Sequence, residues 1–189
     1  MGKRLTKVVT RTGDSGTTGM ADGSRCSKDD PRVHALGEVD ELNAHLGVVL
    51  SLIDDVELRD LLFGIQHDLF DIGAELCQPG KSLIGARHVA AVEQGVETLN
   101  AELTPLREFI LPGGSPAVAA LQLARTVCRR VERTMVNLDS AGETNPVTRQ
   151  YLNRLSDLLF ILARTQAKRE GNEEIYWKSE FSRLSRDES

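Results

Sequence analysis

Apolar residues recur every three or four positions along most of this chain, and the rhythm breaks into five stretches. The first runs over 32–53 through Val33, Leu36, Val39, Leu42, Leu46, Val49, Leu50 and Ile53. Pro31 suits its first helical position, and Asp29-Asp30 can cap it. Asp54-Asp55 restarts the pattern, which Leu58, Leu61, Leu62, Ile65, Leu69, Ile72 and Leu76 carry until Cys77-Gln78-Pro79-Gly80 stops it. A weaker third stretch covers 86–103 and ends before Thr104-Pro105. Leu111-Pro112-Gly113-Gly114 reads as a tight loop, after which Ser115 caps and Pro116 opens a fourth helix, 116–138. That helix keeps Leu121, Ala124, Cys128, Val131, Met135 and Leu138 on one side. Asn145-Pro146 opens the fifth, 146–170, with Leu152, Leu155, Leu159, Leu162 and Gln166 in register and Gly171 as its stop. No stretch alternates as a strand does. The pattern predicts an all-α fold, a five-helix antiparallel bundle in one domain. A loop over 1–31 precedes the bundle at 32–171, and a polar tail follows at 172–189, expected to fray after Phe181.

Composition narrows the core and the partners. Aromatics are only 4% of 189 residues, so the interior must be built from Leu, Val, Ile and Ala. A formal charge of −5 argues against nucleic acid as the main partner, while the basic run Arg125 to Arg133 leaves an anionic small molecule open. Neither a signal peptide nor a membrane span is expected. Cys26, Cys77 and Cys128 lack CxxC spacing and read as free thiols of a reducing cytoplasm. His34, His45, His67 and His88 show no HxxxH or HExxH spacing, so no metal site is expected from them.

The candidate chemistry lies in three places. Thr10-Arg11-Thr12-Gly13-Asp14-Ser15-Gly16-Thr17-Thr18-Gly19 is dense in backbone donors and hydroxyls, which can form an anion-binding nest, and Lys28 can add a point charge. No strand precedes it and GxxxxGK[ST] is absent, so it is not a Walker A loop, and a flexible polar N-terminus is the plainer reading. Arg125, Arg129, Glu132 and Arg133 share one stripe beside the apolar face of the fourth helix, suited either to phosphate oxygens or to a solvated surface. Arg130 falls on another side but belongs to the same run and stays among the nucleotide-binding candidates. On the fifth helix Asn153, Asp157, Phe160 and Arg164 line up. Asn153 could meet a ribose or base edge, or make a buried helix–helix hydrogen bond. Glu38, Asp40 and Glu41 on the first helix could pair with the arginines.

In order, TRTGDSGTTG with Lys28-Asp29-Asp30, GEVDELNAHLG at 37–47, FILPGG at 109–114, ARTVCRRVER at 124–133 and LNRLSDLLFILAR at 152–164 resemble the PduO-type ATP:cob(I)alamin adenosyltransferases. The resemblance spans nearly the whole chain. It implies transfer of the 5′-deoxyadenosyl group of ATP to cob(I)alamin, with triphosphate released and Mg²⁺ on the phosphates. It implies an enzyme of the cob(I)yrinic acid a,c-diamide adenosyltransferase type, assembled as a homotrimer with sites between subunits. Thr10, Arg11, Thr12, Gly13, Asp14, Gly16, Thr18, Gly19, Lys28, Arg129, Arg130, Glu132, Arg133 and Asn153 would hold ATP. Asp40 and Arg125 would pair between subunits, and Phe109 would displace the lower ligand of the corrinoid. Arg129, Phe109, Asp40 and Arg125 would carry catalysis. Arg11 stands where many relatives carry Lys. A flavoprotein reductase and an adenosylcobalamin-dependent enzyme are the implied partners. The rival readings are a non-catalytic corrinoid carrier or escort, and a helical oligomer whose charged stripes only set subunit pairing.

Overall fold

Four capped starts define the helices. In α1 (Pro31–Leu50) the Asp30 carboxylate accepts from Arg32 N, and in α2 (Val56–Cys77) Asp55 accepts from Leu58 N. The Ser115 hydroxyl accepts from Val118 N at the start of α4 (Pro116–Asp139), and Asn145 accepts from Val147 N at the start of α5 (Pro146–Arg169). Each cap satisfies a donor that the first turn leaves without a partner. The shorter α3 (Ala86–Asn100) begins differently, with Gly85 N donating to His88 Nδ1 at 2.9 Å. The computed structural model describes residues 9–78, 80–139 and 144–178.

The helices pack as a bundle in which α1 lies against α2 and α4, and α5 lies against α4 and α3. α5 is the central element: from Leu158 to Ala167 only Phe160 is not buried. Leu42, Leu62, Leu121, Leu152 and Leu159 are fully enclosed, each contributing about 1.5–3 kcal/mol of burial. The bundle closes where the buried Tyr151 hydroxyl donates to Asp68 on α2 at 2.8 Å. Burial, and then the Asp68 charge, push the tyrosine pKa up, so it remains a donor. Glu75 ties one end: its carboxylate accepts from Ile84 N at 2.7 Å, Asn145 Nδ2 at 3.0 Å and the Thr148 hydroxyl at 2.5 Å, joining α2, the connection before α3 and the start of α5. None of the helices described is long and apolar enough to cross a membrane.

Three expectations need correction. α1 ends at Leu50, not 53: Ile53 stays buried, but in the turn that Arg59 secures by donating to the carbonyls of Leu50 and Ile53. α3 ends at Asn100, not 103, and the Lys168 ammonium reaches the Glu102 carbonyl beyond it. The N-terminal segment does contain strands: β1 (Thr17–Gly19) and β2 (Arg25–Ser27) pair antiparallel with Thr18 opposite Cys26. Strands of three residues, rich in Thr and Gly, are too short to show alternation. Residues 172–178, assigned to the tail, run beside 109–111 with an Ile110–Tyr176 bridge. The tail after Phe181 lies outside the described residues.

Candidate active site

The ribbon shapes the Thr10–Gly19 loop. Lys28 N donates to Gly16 O at 2.9 Å, and Gly16 N to Gly13 O at 3.1 Å, folding the segment back on itself. Arg11, at φ 60, and Gly16, at φ 83, adopt left-handed backbone and turn the chain at either end of the stretch 12–15. Arg25 braces it: Nη2 donates to Thr12 O at 2.6 Å, Thr17 O at 3.1 Å and Thr17 Oγ1 at 2.8 Å. A Cβ at Gly13 would lie 3.2 Å from Lys28 Nζ and 3.2 Å from Thr17 O, so the ammonium sits directly over the turn. Ala21 N donates to Cys77 O at 3.2 Å, which docks the ribbon on the end of α2. Loop and Lys28 therefore form one unit. Among the described residues that unit makes no hydrogen bond to α4.

On α4 the arginines divide by partner. Arg130 is taken up by α1, pairing with Glu41 and, at 3.6 Å, with Glu38. This separates it from the stripe, as its helical position foretold. Arg133 donates to the Arg129 carbonyl at 3.2 Å, and among the described residues no carboxylate pairs with Arg129, Arg133, Arg11 or Lys28. Elsewhere Arg154, Arg164 and Arg169 all have acidic partners. Glu132 accepts from Asn153 Nδ2 at 3.0 Å, and Asn153 Oδ1 accepts from Arg154 at 2.6 Å. Asn153 thus makes a half-buried hydrogen bond from α5 to α4, with its amide oriented beside the stripe. Beneath lies Cys128, whose thiol burial pushes far up, leaving it a packing residue.

Arg125 stands apart. Its Nε donates to Gln122 at 2.8 Å, its guanidinium lies 6.0 Å from the Phe160 ring centroid, and among the described residues it has no carboxylate. Burial, then the Arg129 charge, lower its pKa. Asp40 is exposed on α1, on a hollow of about 390 Å³ with Val33, Leu36, Gly37 and Phe70. The two do not meet within the chain. Arg125, Phe160 and Phe109 do share a cavity of about 520 Å³ with Leu106 and Gln122, and the Phe109 ring is 77% exposed. Of the fifth-helix stripe, Arg164 is no site residue: it is buried against Glu174 at 2.7 Å. Arg25 escaped the sequence reading because its partners are mostly backbone carbonyls, which no side-chain pattern reveals.

A helical bundle carrying a braced Gly/Thr loop under a free ammonium, a stripe of unpaired guanidiniums and an open aromatic cavity has the make-up of an enzyme that handles a polyphosphate and a large apolar substrate. The chain matches the cobalamin adenosyltransferase family over residues 8–166, and it belongs to that family. It is 51% identical over 181 residues to a cobalamin adenosyltransferase of Cupriavidus metallidurans, covering 95% of this chain and 98% of that one. It is 44% identical to a corrinoid adenosyltransferase of Mycobacterium leprae, covering 87% and 93%. Among solved structures it is similar to a phenylalanine-to-alanine variant of a PduO-type ATP:corrinoid adenosyltransferase from Lactobacillus reuteri complexed with cobalamin and ATP. There the TM-score is 0.85 at 34% identity, covering 92% and 100%. An arginine-to-lysine variant of the same kind of enzyme from that organism, complexed with ATP, gives 0.84 at 35% identity, covering 90% and 100%.

Proposed function

We propose that this protein transfers the 5′-deoxyadenosyl group of ATP to a corrinoid. The observation that carries the reading is the set of cations without a carboxylate partner among the described residues, Lys28 over the Gly13 turn and Arg129 with Arg133 on α4, where Arg130, Arg154, Arg164 and Arg169 are each paired. Cob(I)alamin attacks C5′ with its cobalt electron pair. That pair becomes the cobalt–carbon bond as the C5′–oxygen bond breaks, and triphosphate leaves with the electrons of the broken bond. No protein acid or base is needed. The site's work is to align cobalt with C5′ and to stabilise the triphosphate.

Thr10 to Gly19 and Lys28 would hold the phosphates together with Arg129 and Arg133, while Glu132 and Asn153 sit near the nucleoside. Mg²⁺ would neutralise charge on the triphosphate, with Asp14, exposed in the turn, the carboxylate the loop offers to hold it. Arg130, already engaged by Glu38 and Glu41, would act at most through α1. The site would be completed between copies of the chain. Arg125, desolvated and without a carboxylate of its own, would meet Asp40 of a neighbour in a homotrimer. Exposed Val56, Phe63 and Phe70, spaced by sevens along α2, support such assembly. Phe109 would displace the lower ligand, leaving four-coordinate Co(II) that is easier to reduce. In the Lactobacillus reuteri enzymes the varied phenylalanine and arginine stand twenty positions apart, as Phe109 and Arg129 do here. A flavoprotein reductase and an adenosylcobalamin-dependent enzyme suit the two ends of this chemistry, in a cytoplasm compatible with three free thiols.

The test is a split in kinetics. Arg129→Ala should lower kcat by about 10²-fold or more, as loss of a charge-stabilising donor does. Phe109→Ala should leave the KM for ATP within about twofold while slowing adenosylation of cobalamin. Unchanged kcat in the first variant, or collapse of ATP binding in the second, contradicts the assignment.

A further inference from the structure

The two-strand ladder beside the open cavity has one outward apolar face. Ile110 pairs with Tyr176, Leu111 N donates to Ile175 O at 2.8 Å, and Trp177 N donates to Phe109 O at 2.7 Å. Phe109 and Trp177 are therefore directly opposite, as are Leu111 and Ile175, and the two-residue period turns all four side chains to the same face. Exposures of 77% for Phe109, 47% for Trp177, 46% for Leu111 and 65% for Ile175 agree with that geometry. The rings of Phe109 and Trp177 meet edge-on, with centroids 6.5 Å apart and planes at 66°. The ladder is rooted in the bundle: buried Arg164 donates to Glu174 at 2.7 Å and to Thr104 O at 2.8 Å. Asn172 N donates to Ala167 O at 2.9 Å.

A phenyl ring that far out of the protein has little to select its rotamer. Among the described residues Trp177 is the ring that packs against it, and the main-chain bond between the two residues holds their backbones opposite each other. We propose that Trp177 is a positioning residue that holds Phe109 in the orientation from which it displaces the lower ligand of the corrinoid, with Leu111 and Ile175 extending the same apolar platform under the macrocycle. This rests on the adenosyltransferase reading above and adds to it a specificity: the strap after α5 is needed most by corrinoids that carry a lower ligand.

The experiment compares cobalamin with cobinamide, the same macrocycle without the nucleotide that supplies the lower ligand. For Trp177→Ala, the ratio of kcat/KM on cobalamin to kcat/KM on cobinamide should fall about tenfold or more, since misplacing a positioning group by about an ångström costs up to about 10²-fold. Trp177→Phe, which keeps a ring, should recover most of that ratio. The electron paramagnetic resonance signal of four-coordinate Co(II), recorded with MgATP, should shrink in the alanine variant and return with phenylalanine. The ratio is internal to each preparation, so partial misfolding does not move it. Equal losses on both corrinoids, or an unchanged ratio and signal, overturn the proposal. A wild-type protein that adenosylates neither corrinoid overturns the functional reading instead.

Discussion

Gly13 illustrates how single atoms set the site. A methyl group there would press at once on the Lys28 ammonium and on the Thr17 carbonyl, each 3.2 Å away. The lysine can swing aside, but the carbonyl belongs to β1 and cannot. We therefore expect Gly13→Ala to raise the KM for ATP about tenfold by moving the one cation over the turn, with the melting temperature nearly unchanged. An unchanged KM would mean that Lys28 does not work from this position. At this scale the sequence was readable where chemistry follows helical offsets: Arg125, Arg129, Glu132 and Arg133 line up by count alone. It was unreadable where a side chain serves the backbone. Arg25 looks like any surface arginine until its carbonyl partners on Thr12 and Thr17 are seen. Arg164 belonged by spacing to a polar stripe, yet its partner Glu174 comes from beyond the helix end.

Helix starts were legible because caps are local. Asp30, Asp55, Ser115 and Asn145 all do what their positions suggested. Helix ends were less so: α1 stops where the Arg59 side chain takes the Leu50 carbonyl, and α3 stops in turns whose backbone N–H groups take the carbonyls of Leu99 and Asn100. The ribbon of β1 and β2 was missed for want of length. Asp55 gives the element scale its test. The Leu58 N–H chiefly, and Arg169 after it, hold the Asp55 pKa below its ordinary 3.8. A folded value below the unfolded one means that the carboxylate's contribution is complete above about 3.8 and fades as pH falls through the folded value. Asp55→Ala should thus cost about 1 kcal/mol at neutral pH, and the gap from wild type should narrow as the pH falls below 3.8 and through the lowered folded value. Urea unfolding at the two pH values measures it, and a gap that stays constant would contradict the role of the charge.

At the scale of the whole molecule, copies of the chain are proposed to share the site. The bundle, with α5 enclosed by its neighbours, was foreseeable from periodicity. The site was only half foreseeable, because loop and stripe lie on one chain without bonding and Asp40 never meets Arg125 inside it. If copies assemble as proposed, Arg125→Asp should shift sedimentation from trimer toward monomer, and Asp40→Arg combined with it should restore much of the assembly; trimers in every variant would remove that pair from the interface. The central claim is that cobalt takes carbon from ATP while the cations hold an intact triphosphate. It is tested most directly by following reduced corrinoid and MgATP by phosphorus resonance together with the light-sensitive absorbance of the product. One triphosphate should appear for each cobalt–carbon bond formed. Diphosphate as the phosphorus product, or triphosphate without an adenosyl-corrinoid, would contradict the account.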